Sequence, residues 1–295
     1  MHIKVLGAGA GGGLPQWNCG CRNCADARSG RLPAMSQSSL AVSVDGQGWA
    51  VLNASPDIRQ QFAVTPQLAP TGLRDSPLRA VVLTNGDIDH VAGLLTLREK
   101  TRFTVFATSQ TLDILDANAV FAVLDPALVE KSRIALDSPF APLDGLEVTA
   151  FAVPGKVALY LEGDEVDTNA MGEQTVGLRL SADGHTVYYI PGCAKVTDDL
   201  LARLADADLV LFDGTVWRND EMPSTGTGAK TGARMGHVAM DGPDGSIARL
   251  AGLTCRKVFV HINNTNPALQ PDGPERAALS AAGWQIAADG MEITP

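Results

Sequence analysis

Three cysteines fall within six residues, Cys19-Gly-Cys21-Arg-Asn-Cys24. A tight loop of this spacing can aim three thiols at one ion, and thiolates favour zinc in a closed, structural tetrahedral site. Three independent thiols would be the plain alternative. The fourth ligand must come from elsewhere; Asn264 and His237 are the candidates, and the sequence leaves the choice open. An odd total of five cysteines, clustered in this way, does not suggest a disulfide framework. The glycine run Gly7-Ala-Gly9-Ala-Gly11 follows a strand and invites a dinucleotide reading. That reading needs a helix to start at once so that its N-terminus can hold a pyrophosphate. Leu14-Pro15-Gln16-Trp17 follows instead, so the run is better read as a flexible turn beside an active site.

The elements that must position these groups are legible in outline. Strands are expected at 2–6, 39–44, 49–53, 79–84, 103–107, 146–153, 175–181, 186–190, 209–212 and 258–261. Asp45-Gly46-Gln47-Gly48 turns the second strand into the third as a hairpin. Helices are expected at 91–100, 108–117, 198–204, 245–252 and 274–282, and 284–287 with 291–294 reads as a closing strand pair. Hairpins come first, then βα units, then a second β block followed by αβ units. This order suits an α/β chain built as a four-layer αββα sandwich, two sheets face to face between outer helices. No linker or repeat divides residues 1–295, so one domain is expected. The Gly/Ser/Thr-rich stretch 218–234 is the expected mobile loop or lid.

A net charge of −10 argues against nucleic acid or anionic lipid as partners, but leaves room for a small anionic substrate held by local cations. No apolar run approaches the roughly 20 residues that cross a bilayer, and the start of the chain lacks the regions of a signal peptide. The expected location is the cytoplasm.

The segment Leu83-Thr-Asn85-Gly-Asp87-Ile-Asp89-His90-Val-Ala-Gly93 resembles the His-x-His-x-Asp-His-x-x-Gly signature of the metallo-β-lactamase superfamily. Asn85 and Asp87 stand where its first two histidines would be, Lys156 near the third, and Cys193 where a metal-bridging aspartate is usual. What the resemblance retains is Asp89, His90 and His261, with Cys193 as a possible softer ligand. Two imidazoles and one carboxylate form the facial triad of non-haem Fe(II) oxygenases, with open positions for O2 and substrate. Asp89 before a helix would otherwise be an ordinary N-cap followed by a packed histidine.

Further blocks, Trp17-Asn-Cys-x-Cys-x-x-Cys24, Asn53-Ala-Ser-Pro-Asp-Ile-Arg59, Ile190-Pro-Gly-Cys193, Phe212-Asp-Gly-Thr-Val-Trp217, Met235-Gly-His237 and His261-Ile-Asn-Asn-Thr-Asn-Pro267, are similar to the pyrroloquinoline quinone (PQQ) synthesis protein B family. They span nearly the whole chain. The resemblance implies PQQ biosynthesis, with Fe2+ and O2 used to hydroxylate the tyrosine ring of a Glu–Tyr-derived precursor. The cysteine cluster adds a structural Zn2+ to the expected cofactors, and Zn2+ can replace Fe2+ at the open site. Asp87 and Asp213 are candidates for moving protons or orienting imidazoles, and His237 for a role beside the reacting atoms. Arg59, Lys156 and Arg218 are candidates to receive substrate carboxylates; Lys156 would equally serve as a structural counter-charge. Other proteins of the same pathway are the expected partners. Two rival readings stand: a two-metal, phosphodiesterase-like hydrolase, and a carrier for PQQ or its precursor without turnover.

Overall fold

The computed structural model describes residues 1–295. Strands β1 (His2–Gly7), β2 (Ser39–Ser43), β3 (Trp49–Leu52), β4 (Leu78–Val82), β5 (Phe103–Ala107) and β6 (Val129–Arg133) lie side by side in a first sheet. A second sheet runs through β7 (Pro139–Leu143), β8 (Leu146–Ala152), β9 (Val176–Ala182), β10 (His185–Ile190), β11 (Leu209–Asp213), β12 (Arg256–Val260) and β13 (Trp284–Ile286). The last strand, β14 (Glu292–Ile293), returns to the first sheet beside β1.

Alternation along the strands divides the apolar residues between layers. In the first sheet Ile3, Val5, Leu40, Val42, Leu52 and Val82 join the second sheet's Val148, Leu178, Tyr189 and Phe212 in the main core. Their neighbours Leu6, Ala41, Val51 and Val81 face the other way, onto Ile58, Leu112 and Leu115 of the helices Ile58–Ala63 and Ser109–Ala117. Caps hold two of the helices in place. The Thr108 side chain accepts from Thr111 N–H ahead of Ser109–Ala117, and Thr197 does so for Leu200 N–H ahead of Asp198–Arg203.

Several expectations need correction. The stretch 91–100 is not one helix: a turn of α-helix, Ile88–Val91, passes into a 3-10 turn, Ala92–Leu95. Gly93 is the reason, because it lies directly on the backbone of Ala54 and Ser55, and its N–H donates to Ala54 O at 2.9 Å. The closing pair 284–287 and 291–294 does not pair with itself. Gly290, at φ +82°, helps turn the chain so that β13 joins one sheet and β14 the other. Strands β6 and β7 were not expected; β6 carries Glu130, Lys131 and Ser132 and lacks an apolar pattern. The helix expected at 245–252 is only Ser246–Arg249. The 218–234 stretch holds two short helices, Glu221–Thr225 and Gly232–Met235, the first tied inward by Glu221, which accepts from Trp217 N–H and Thr265 O–H. No helix is long and apolar enough to cross a membrane.

Strands β3 to β6 run parallel, as do β10 to β13, so the chain leaves β4, β10, β11 and β12 at C-terminal ends, where open α/β sheets gather their ligand sites. Gly9 links the two sheets there, bridging Gln37 on one side and Ile262 on the other. Gly93 fixes the 3-10 turn that follows Asp89 and His90. A Cβ there would sit 2.2 Å from Ser55 O. Gly93→Ala should therefore cost about 1–3 kcal/mol in a denaturant titration, and an unchanged midpoint would show that this packing is dispensable.

Candidate metal centre

Two groups of metal-ligating side chains stand at this end of the molecule. The first is Cys19, Cys21 and Cys24, whose sulfurs lie within 4.8 Å of one another. Arg28 fastens their loop by donating to Cys19 O and Gln16 O, both at 2.6 Å. The Asn264 side-chain amide sits over the trio, 3.2, 3.3 and 3.6 Å from the sulfurs of Cys19, Cys24 and Cys21. Neighbouring ligands in a tetrahedral zinc site stand about 3.5 Å apart. An amide turned about its Cβ–Cγ bond would present its oxygen there as an acceptor. Burial pushes the Cys21 thiol up to about 11, so a bound cation is what would make it a thiolate. Asn264 therefore fits as fourth ligand. His237 does not: it lies in the second group, against Asp213 and His261.

That second group surrounds a cavity of about 300 Å³ lined by Gly11, Asp87, Asp89, His90, Lys156, Thr215, His237 and His261, among others. Its three histidines follow one rule: Nδ1 meets a protein oxygen, which leaves Nε2 for the cavity. His90 Nδ1 meets Asn85 Oδ1 at 2.8 Å, His261 Nδ1 meets Thr215 Oγ1 at 2.8 Å, and His237 Nδ1 meets Asp213 Oδ2 at 2.7 Å. The Thr215 hydroxyl has one proton, and its 2.7 Å contact with Asp213 Oδ1 takes it. Toward His261 the hydroxyl can then only accept, so His261 carries its proton on Nδ1. The Asp213 carboxylate is wholly buried and also accepts from Cys193 N–H and Thr215 N–H, each at 3.0 Å.

Asp89 Oδ2 lies 3.1 Å from His261 Nε2 and 3.9 Å from His90 Nε2. His90 Nε2 is buried with no hydrogen-bond partner, a state costing about 1–3 kcal/mol unless something binds it. Burial pushes the His90 imidazolium down to about 4, so this nitrogen is an unprotonated donor. Burial opposes charge at Asp89, yet His90 and His261 hold its carboxyl well below the usual range. A carboxylate and two imidazoles converge, one of them otherwise orphaned; a divalent cation fits this donor set. Asp213 belongs to a second possible group with His237 and His261, but both its oxygens already hold donors, so its geometry is that of an orienting group.

His261 sits at φ +57°, left-handed backbone that costs a non-glycine residue roughly 1–2 kcal/mol. It is held through its ring, whose Nδ1–H donates to Thr215 Oγ1 at 2.8 Å. Gly11 closes the wall: a side chain there would meet Asp89 Oδ2 at 3.3 Å.

Not every expected residue reaches this site. Cys193 is buried behind it, its Sγ aimed at Lys195 O at 3.1 Å, and burial raises its thiol to about 12; it is no ligand here. Arg59 and Arg218 are exposed and do not line the cavity. Arg59 lies on the helix Ile58–Ala63 and Arg218 at the start of a loop whose buried anchor is Glu221. Asp87 does line the cavity; burial, with the charge of Asp89, raises its carboxyl. Lys156 also lines it, its Nζ 2.9 Å from Glu162 Oε1. Thr215, Asn85, Lys230 and Glu162 are the participants that residue type did not single out. For Thr215, its position two residues after Asp213 was the available signal.

Residues 48–262 match the beta-lactamase superfamily domain. The chain is 60% identical to the coenzyme PQQ synthesis protein B of Ruegeria pomeroyi, with 99% of each chain covered. It is 58% identical to that of Rhizobium meliloti, over 99% of this chain and 97% of the other. The crystal structure of Zn2+-bound PqqB from Methylobacterium extorquens superposes with a TM-score of 0.98 at 54% identity, covering 100% of both.

Two outcomes follow from the geometry. Thr215→Val should weaken metal retention in the cavity about 10–100-fold by chelator competition while Thr215→Ser keeps it; equal retention in both would mean the imidazoles are oriented otherwise. Cys24→Ser should release zinc from the cysteine site and also loosen metal in the cavity, because residues 261–264 span both. Cavity affinity unchanged after that loss would uncouple them.

Proposed function

Because the chain belongs to the coenzyme PQQ synthesis protein B family of the beta-lactamase superfamily, we propose that its part in making that cofactor is an Fe2+- and O2-dependent hydroxylation of the tyrosine ring of a Glu–Tyr-derived precursor. The observation that carries this reading is the donor set itself. Asp89, His90 and His261 bring together the two imidazoles and one carboxylate that a facial triad requires, and the unpartnered His90 Nε2 is the atom a metal would satisfy. Bound there, Fe2+ would supply the activation of O2 by which one oxygen atom is inserted into a ring C–H bond and the other leaves as water, with two electrons from a reductant and two protons.

The chain's own residues then have separate tasks. Asn85 and Thr215 hold the ligand imidazoles in the tautomer that presents Nε2. His237, stacked on His261 with ring centroids 5.2 Å apart and fixed by Asp213, presents its Nε2 toward the space where the phenol would lie and would take its proton. Asp87, which lines the same cavity and whose carboxyl burial raises, is read as a second group for handling protons. The segment carrying Leu159, which lines the cavity, would restrict water there, and Lys156 would face a substrate carboxylate. The cysteine site is read as structural zinc, with Asn264 completing it. Residues 1–295 are read as one domain, and the cytoplasm as its location, in keeping with five free cysteines and no disulfide.

Two-metal hydrolysis is the weaker reading, because Asp213 would have to give up N–H and O–H donors to ligate. The test is anaerobic loading with Fe2+ followed by O2 uptake and product mass with a Glu–Tyr cross-linked substrate. We expect uptake coupled to a gain of one oxygen atom, abolished in His261→Ala. Binding without uptake in either protein would favour the carrier, and turnover without O2 would favour the hydrolase.

A further inference from the structure

Between β8 and β9 the chain folds across the cavity mouth. Leu159 N–H donates to Asp87 Oδ1 at 3.1 Å and Tyr160 O–H to Gly86 O at 2.6 Å. Packing contributes little to its placement: Leu159 is 55% exposed and Leu161 49%. A segment held by a few polar contacts and little apolar burial opens at low free-energy cost.

The strongest of those contacts is at Glu162. Its side chain is 8% exposed and faces three cations from two separate parts of the chain: Lys156 Nζ at 2.9 Å, Arg234 Nη2 at 2.8 Å and Lys230 Nζ at 3.8 Å. The Arg234 hydrogen bond, with Lys156, holds the Glu162 carboxyl down to about 2. One carboxylate leaves this trio two positive charges in excess, on a chain whose net charge is −10. Donor capacity is in excess as well: Arg234 Nη1 is buried without a partner, and Lys230 stands beyond hydrogen-bond distance. A simple tie for the segment would need one cation. Three that converge on a single carboxylate, two of them on the same cavity wall as Asp89 and His261, are the arrangement that recognises a carboxylate ligand.

We infer that Lys156, Lys230 and Arg234 form a binding subsite for a substrate carboxylate, and that Glu162 occupies it until such a ligand takes its place. Displacement frees the Glu162 end of the segment, so entry of a carboxylate-bearing molecule and opening of the cavity mouth are one event. The expected ligand is an aromatic compound with two or more carboxylates, one on the trio and the ring toward the metal ligands. This rests on the reading above only for the substrate's carboxylates, not for the reaction.

The probe is benzene-1,3,5-tricarboxylate, titrated calorimetrically into the zinc-loaded protein at low salt, with the neutral benzene-1,3,5-tricarboxamide as control. Glu162→Gln removes the internal competitor and should tighten tricarboxylate binding about 10-fold, with no gain for the triamide. Lys230→Gln and Arg234→Gln should each weaken it several-fold, and 0.5 M salt should erase most of the difference between variants. Lys230 is substantially exposed, so its variant reads binding without a folding defect. Equal or weaker binding by Glu162→Gln, or unchanged binding by Lys230→Gln, overturns the inference. No turnover enters this assay, so its result stands apart from that of the O2-uptake experiment.

Discussion

The buried carboxylate of Asp213 is the constraint on which the site depends. A charge at 0% exposure is strongly unfavourable unless donors surround it, and here four do: Cys193 N–H, Thr215 N–H, the Thr215 hydroxyl and His237 Nδ1–H. Burial works against its charge, but His237 and the neighbouring donors keep Asp213 ionised, below the usual range. Each donor thereby acquires one position. The turn after β10 must bring a backbone N–H to it, the turn after β11 must fold Thr215 back, and His237 must point its other nitrogen away. Thr215, with its proton committed, can only accept from His261.

This chain of commitments links two parts of the molecule that residue types treat as separate. His261, Asn263, Asn264 and Asn266 come from one turn after β12. His261 and Asn263 line the cavity, Asn264 covers the three thiols, and Asn266 donates to Gly214 O beside Asp213. Asn23, from the helix that carries Cys24, donates to the carbonyls of Asn264 and Asn266 at 2.9 Å each. The cysteine site therefore braces the turn in which His261 adopts its left-handed backbone. That strained residue is held from both sides, by Thr215 and by this turn, which is how strain persists at a functional position.

Two of the residues that stand where the resemblance places histidines have a visible structural role. Asn85 no longer offers a ring nitrogen but aligns His90. Lys156 stands in the wall as a cation facing Glu162. All three positions, Asn85, Asp87 and Lys156, line the cavity.

The chain alone determined the two-sheet architecture, because alternating apolar residues and the order of hairpins and βα units follow from local periodicity. It also picked out the cysteine cluster, whose members are adjacent in the chain, and, through the family resemblance, Asp89, His90 and His261, whose ligand-type atoms the fold brings within 4.8 Å of one another. Tertiary structure decided what depends on distant residues meeting. It placed Asn264 rather than His237 over the thiols, turned Cys193 away, and left Arg59 and Arg218 outside the cavity. It raised Thr215, an ordinary residue by type, to the centre of the hydrogen-bond network. Helix 91–100 and the closing strand pair were misread for the same reason: a glycine against a neighbouring backbone, and an edge strand bound to β1, are contacts across the fold that no local pattern records. Spacing identifies which atoms could bind a metal; only packing decides where their free lone pairs point.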